Sequence, residues 1–374
     1  MRAAVFILAS LLTAAPAHAQ LGGILNKAQK AKDTADKVAD LNISDDEERK
    51  LGENVSANLR DKFGVYQNAE VTKYVSLVGN ALAQGSSRPN LNWTFIVLDT
   101  DAVNAFAAPG GIVHVTRGLL GLAKNEAELA GVLGHEITHV TAKHTVRFIQ
   151  KSKGISLGSD YAGGGSTRDY VVAKMSEKAF HLLLDGAFSR EDEGESDKVG
   201  VELANKLGYA PDGLAELLKK LDARNGGRED RNGLFASHPD TKDRIAKIET
   251  QVKDEKLTGS ATVASRYATY VTFDAKPVTE IAVSTEGAAG LAGDGKDAKK
   301  DDEKKEEPKK KGGLLGKFTT SSSEQKQASQ TTASAGSRGV GSPDRDAKGG
   351  PNKSALGVKV TSSDIDAFKK GIVA

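Results

Sequence analysis

Apolar residues recur at regular spacing along the first three quarters of the chain and become sparse after about residue 285. Ser44 followed by Asp45, Asp46 and Glu47 opens a predicted helix over 45–62, with a capping hydroxyl, a Glu three residues on and acidic groups in its first turn. A second helix is predicted over 69–84, ending before Gly85-Ser86-Ser87-Arg88-Pro89. Trp93 to Leu98 (WTFIVL) reads as a buried strand. Val103 to Ala107 reads as a short extended segment, and Ile112 to Thr116 as a strand after the Pro109-Gly110-Gly111 turn. Asn125 caps the next helix, with Glu126 and Glu128 in its first turn. It is predicted to run through at least His144, burying the side that carries Leu129, Val132, Leu133 and Ile137. Glycines through 152–169 mark a loop. Phe188 to Gly200 then opens a helix that continues through Leu207 and stops at Gly208. The β-branched alternation of Val263 to Phe273 and Val278 to Val283 predicts a closing hairpin.

Polar residues on the 126–144 helix change the picture. Positions four apart lie one above the other on a helix, so His135 and His139 can offer two imidazole nitrogens to one metal ion. Glu136 sits one step round, where its carboxylate reaches a metal-bound water rather than the metal. His144, five residues past His139, falls about 140° away on a continuous helix and reads as a structural or exposed histidine. Catalytic zinc takes three protein ligands and leaves a position for water, and the acidic FSREDEGESDKVG stretch is the natural donor of the third. Glu191, Asp192, Glu193, Glu195 and Asp197 all compete for that role. Glu193 and Asp197 share one helix face, Glu191 and Glu195 another, and spacing does not choose between them.

The chain ends narrow the compartment. Met1-Arg2, a short apolar run from Ala3 to Ala15 and an Ala-His-Ala ending predict a signal peptide over 1–19, too short in its apolar part for a membrane span. A soluble, exported and most naturally periplasmic protein is the expectation, with no transmembrane segment in the mature chain. Residues 20–43 read as a polar helical leader, 44–255 as the main domain, 256–285 as a β-rich extension and 286–374 as a low-complexity, mostly disordered tail. Two apolar islands, Gly313 to Phe318 and Ile365 to Ala374, interrupt the tail. Solvated chain is the expectation for both, against docking on an envelope partner or in cis on the cleft. The absence of cysteine excludes a disulfide framework, and 52 basic against 50 acidic residues give no footprint for nucleic acid.

Four ordered blocks resemble one family, the zinc metallopeptidases that include HtpX, BepA and the CAAX prenyl endopeptidases. They are Asn104 to Gly111 with Val115 to Leu120, Glu126 to Glu136, Ser189-Arg190 with Glu193-x-x-Ser196-Asp197, and Ser237-His238-Pro239 with Arg244-Ile245. The resemblance spans roughly Ile43 to Val252 and is nearest to the soluble periplasmic BepA-like branch, without a tetratricopeptide array. It implies an α+β, mostly helical, zincin-like metallopeptidase domain with a small mixed or antiparallel sheet and an active-site helix carrying His-Glu-x-x-His. It also implies one Zn²⁺ per chain on His135, His139 and Glu193, with Glu136 as general base. Asp197 would support a ligand, His238 would face the metal, and Ile112, Val113, His114 and Val115 would form an edge strand along which substrate lies. The expected activity is hydrolysis of peptide bonds in unfolded or misassembled envelope proteins held in extended form. A zinc-stabilised chaperone or assembly factor with little proteolysis is the alternative.

Overall fold

The computed structural model describes residues 43–151, 168–185, 188–224, 238, 241–277 and 351–372. The signal peptide, the leader, the glycine-rich loop, the strand expected over 278–283 and the Gly313 to Phe318 island lie outside the described residues.

Helix α1 (Asp45–Phe63) starts on the capping box of Ser44 and Glu47, and α2 (Ala69–Ala83) on the Asn68 side chain. Three strands follow, β1 (Thr94–Leu98), β2 (Ala105–Ala108) and β3 (Ile112–Thr116), in the spatial order β1-β3-β2. β3 runs parallel to β1 and antiparallel to β2, so the sheet is mixed. Side chains alternate between two cores. Phe95, Val97, Val113 and Val115 join α2 on one face, while Ile96, Leu98, Phe106 and Ile112 join α1 on the other. A sheet covered on both faces explains why Phe95 to Leu98 are all apolar instead of alternating with polar residues.

The topology corrects one expectation. β3 is the central strand, paired on both sides, so Ile112 to Val115 cannot pair with a further chain. His114 instead turns into the second core, its Nε2 2.9 Å from Ser56 Oγ on α1. Among the described residues β2 has no second strand partner, and it packs along the central helix.

After the short α3 (Arg117–Leu122), helix α4 (Glu126–Thr141) is buried on all sides from Glu126 to Val140. It stops short of His144. Lys143 takes a left-handed conformation (φ 55°), its ammonium 2.9 Å from the buried Glu48 carboxylate, and a new helix, α5 (His144–Lys151), leaves in another direction. Helices α6 (Arg168–Asp185), α7 (Arg190–Lys206), α8 (Gly213–Arg224) and α9 (Thr241–Asp254) complete the surround: α6 covers α1, and α7 and α8 cover α4. α4 and α7 cross where both lack a side chain. A Cβ on Gly134 would stand 2.6 Å from the Gly200 carbonyl oxygen, and one on Gly200 would stand 2.6 Å from the His135 nitrogen.

Two further corrections concern the C-terminal third. Ala264–Tyr270 is a helix, α10, and not a strand. Tyr267 and Tyr270, three apart, turn to the same side, where the Tyr267 hydroxyl donates to the Leu120 carbonyl (2.6 Å) and Tyr270 stacks on Tyr74 at 4.4 Å. The end of the chain also docks in cis. Val65 N–H donates to the Asn352 carbonyl, and helix α11 (Ser362–Lys370) buries Ile365 and Phe368 in the main core against α2. Arg266 lies over the Phe368 ring at 4.1 Å and also pairs with Glu126, the first residue of α4, which accepts from Tyr74 (2.8 Å) and Tyr209 (2.6 Å).

Gly200→Ala should cost about 1–3 kcal/mol in urea denaturation by forcing the crossing apart. By contrast Gly194→Ala, where an added Cβ meets nothing within 4 Å, should stabilise by about 0.5–1 kcal/mol. Burial holds the His114 imidazole down to a pKa of about 3, so the folded state stays neutral where the unfolded chain protonates. The stability this contributes is complete above the unfolded value of 6.5 and is lost as pH falls toward 3. Between pH 7 and 5 wild type should therefore lose about 2 kcal/mol relative to His114→Gln.

Candidate active site

α4 and α7 bring together residues far apart in sequence. His135 and His139, one turn apart on α4, have Nε2 atoms 3.0 Å from each other. Glu193 on α7 puts Oε1 3.3 Å from His139 Nε2 and Oε2 3.6 Å from His135 Nε2. His238 closes the group, its Nδ1 3.2 Å from His135 Nε2 and 2.8 Å from Glu193 Oε1. All four are buried, with donor atoms within 4.8 Å of one another.

These separations fit a metal. Ligands at about 2.0–2.2 Å in a tetrahedron stand roughly 3.3–3.5 Å apart, and four inward-facing donors with no apolar filling have little other reason to converge. A donor set of three imidazoles and one carboxylate suits a first-row transition ion rather than Mg²⁺ or Ca²⁺. Glu136 is also fully buried. Neither of its carboxylate oxygens has a hydrogen-bond partner among the described residues, and Oε1 lies 3.7 Å from His238 Nε2.

Around the donors lies a layer that orients them. His135 Nδ1 is 2.9 Å from Asp197 Oδ1. Arg244 on α9 clamps Asp197 through Nε at 2.8 Å and Nη2 at 2.7 Å, and its Nη1 is 2.9 Å from Glu193 Oε2. Phe188 packs its ring 4.2 Å from that of His139 and forms one wall.

The protein's own charges set the protonation states. Burial pushes the Glu136 carboxyl above its ordinary value and His139 well below its own. Burial opposes ionisation of Glu193, yet His238 and Arg244 outweigh it and hold that carboxyl well below the usual range. The same contest at Asp197 is won by Arg244. His238 is raised, the Glu193 carboxylate overcoming the effect of burial.

A sequence profile described as Peptidase family M48 matches residues 69–252, which takes in all of these residues. Residues 69–252 form a domain of this family. The chain is 29% identical over 222 residues to the mitochondrial metalloendopeptidase OMA1 of Schizosaccharomyces pombe, covering 58% of this chain and 64% of the relative. It is 25% identical over 232 residues to the beta-barrel assembly-enhancing protease of Escherichia coli, covering 57% and 47% respectively. The metalloprotease LoiP of Escherichia coli is 28% identical over 195 residues, covering 51% and 74%. The chain thus spans about half to two thirds of the length of the first two relatives.

Of the five carboxylates that compete in the sequence, Glu193 and Asp197 face the histidines. Asp192 and Glu195 lie instead beside His144, which is buried. Sequence reasoning missed Phe188 and the part played by Arg244. The latter's signal is its place six residues beyond His238 in the Arg-Ile block.

Replacing Arg244 by Met leaves two buried carboxylates without their cation. The metal-free variant should lose about 3–5 kcal/mol in denaturant titration.

Proposed function

We propose that this chain is an exported zinc-dependent endopeptidase that hydrolyses peptide bonds in unfolded or misassembled envelope proteins. The observation that carries the reading is Glu136: a buried carboxylate with no hydrogen-bond partner among the described residues, set against a cluster of convergent donors. Burying such a group unpartnered is costly, and a purely structural metal site has no use for it.

In this reading His135, His139 and Glu193 hold one zinc ion, which polarises the scissile carbonyl and acidifies a water molecule when bound. Glu136 takes the proton from the attacking water and returns it to the leaving amine. Asp197, itself held by Arg244, keeps the His135 ring turned so that Nε2 faces inward. His238 is the fourth donor of a resting state, and its withdrawal frees the position that substrate and water need.

The substrate strand is reassigned to β2. Among the described residues it is the strand at the edge of the sheet and it packs against α4, and in this reading an extended chain adds to it through main-chain hydrogen bonds with little side-chain selectivity. Broad tolerance of this kind suits removal of misassembled proteins, and the assembly-enhancing protease among the relatives points to the same class of substrate. No helix among the described residues is long and apolar enough to cross a membrane, in keeping with export into an aqueous compartment.

One observation favours the alternative of a zinc-stabilised chaperone or assembly factor: with His238 the donors number four, the count of a closed structural zinc site. Zinc content and casein cleavage of wild type, Glu136→Gln and His238→Ala separate the two readings. The expected result is one zinc per chain in all three, with cleavage reduced about 10²–10⁴-fold in Glu136→Gln and retained or raised in His238→Ala. Zinc retention with no cleavage by wild type or His238→Ala would favour the assembly factor.

A further inference from the structure

His139 is gripped from two sides. While Nε2 faces His135 and Glu193, Nδ1 lies 2.8 Å from Nδ1 of His144. Two imidazole nitrogens at that distance share one proton. With the Nε2 lone pair turned toward the donor cluster, the proton of His139 sits on Nδ1, and His144 Nδ1 accepts it. The proton of His144 is then on Nε2, which stands 3.1 Å from Glu195 Oε2 and 3.4 Å from Asp192 Oδ1. Ser196 Oγ also lies 3.3 Å from His144 Nδ1, further off than the His139 nitrogen.

We propose that His144 is a positioning residue for the metal centre, fixing His139 as its Nδ1–H tautomer and linking it through a second imidazole to the Asp192 and Glu195 carboxylates. The inference rests on His139 being a metal ligand. It gives the two α4 ligands different supports: His135 leans directly on the buried Asp197, while His139 reaches its carboxylates one ring further out, at the partly exposed Asp192 and Glu195.

The backbone is bent to make this contact. On a continuous helix His144 would point about 140° away from His139. The left-handed Lys143 breaks the helix and carries the ring back, in a conformation that residues other than glycine rarely adopt. Lys143 is held there by Glu48, the buried carboxylate that also accepts from Gly110 N–H in the Pro-Gly-Gly turn.

His144, Asp192 and Glu195 could together be read as a second metal site, since their donor atoms also lie within 4.8 Å of one another. Arg147 argues against it. Its Nη2 stands 2.9 Å from Asp192 Oδ1 and 3.4 Å from Glu195 Oε2, so a cation of the protein already serves these carboxylates.

The test is zinc affinity of the full chain by chelator competition, with zinc counted per chain. His144→Ala should weaken binding about 10- to 100-fold. His144→Asn, whose amide oxygen stands near the lost Nδ1, should recover most of it, and Glu195→Gln should fall between. In ¹⁵N NMR of the zinc-loaded protein, His139 should be the Nδ1–H tautomer in wild type and lose its hydrogen-bonded Nδ1–H resonance in His144→Ala, which a purely structural role would not predict. Affinities of His144→Ala and Glu195→Gln within about twofold of wild type would overturn the inference, as would a second zinc lost on His144→Ala. Should His144→Ala fail to fold, unchanged affinity in Glu195→Gln together with a His139 that is not the Nδ1–H tautomer in the zinc-loaded wild type decides against it. A wild type that binds no zinc refutes the functional reading and this inference with it, whereas zinc held equally well by wild type and variants refutes this inference alone.

Discussion

The crossing of α4 over α7 at Gly134 and Gly200 is the constraint on which the rest depends. Backbone touches backbone there, with room for no Cβ on either side, and the site residues stand within two turns of the contact. Glu193 and Asp197 can reach His135 and His139 only because the two helices approach this closely. Wider helix spacing, as side chains at the crossing would impose, would leave the carboxylates short of the imidazoles.

Much of this was legible in the sequence, and the exceptions share a cause. The capping boxes, the apolar runs and the His-Glu-x-x-His spacing are local signals, and α1, α2, the strands and the two α4 donors follow from them. Glu193 could be singled out only through family resemblance, because helical spacing left two faces of α7 equivalent until α4 was laid across one of them. The central place of β3 is not legible for a similar reason: strand order is a property of the whole sheet, and WTFIVL and IVHVT both look like buried strands. The β-branched residues around α10 suggest a strand, whereas the separation of three between its tyrosines is the helical signal. α11 carries its own signs, a Thr361 and Asp364 capping box and apolar residues at 365, 368 and 372. They are short, and follow a long stretch with scarcely an apolar residue.

Buried charge is used here for orientation more than for stability. Arg244, Asp197, Glu193 and His238 form one connected group in which each carboxylate is held against a cation, and the desolvation that would neutralise them is outweighed inside the group. At the other end of α4, Glu126 is similarly enclosed by Tyr74, Tyr209 and Arg266. The helix carrying the donors is thus pinned near both ends by polar contacts with fixed directions, which resist rotation about its axis better than apolar packing alone.

Residues 351–372 are joined covalently to the body they cover, so α11 meets α2 as an intramolecular partner at high effective concentration. A modest patch centred on Ile365 and Phe368 therefore suffices to hold a helix that would bind only weakly as a separate peptide.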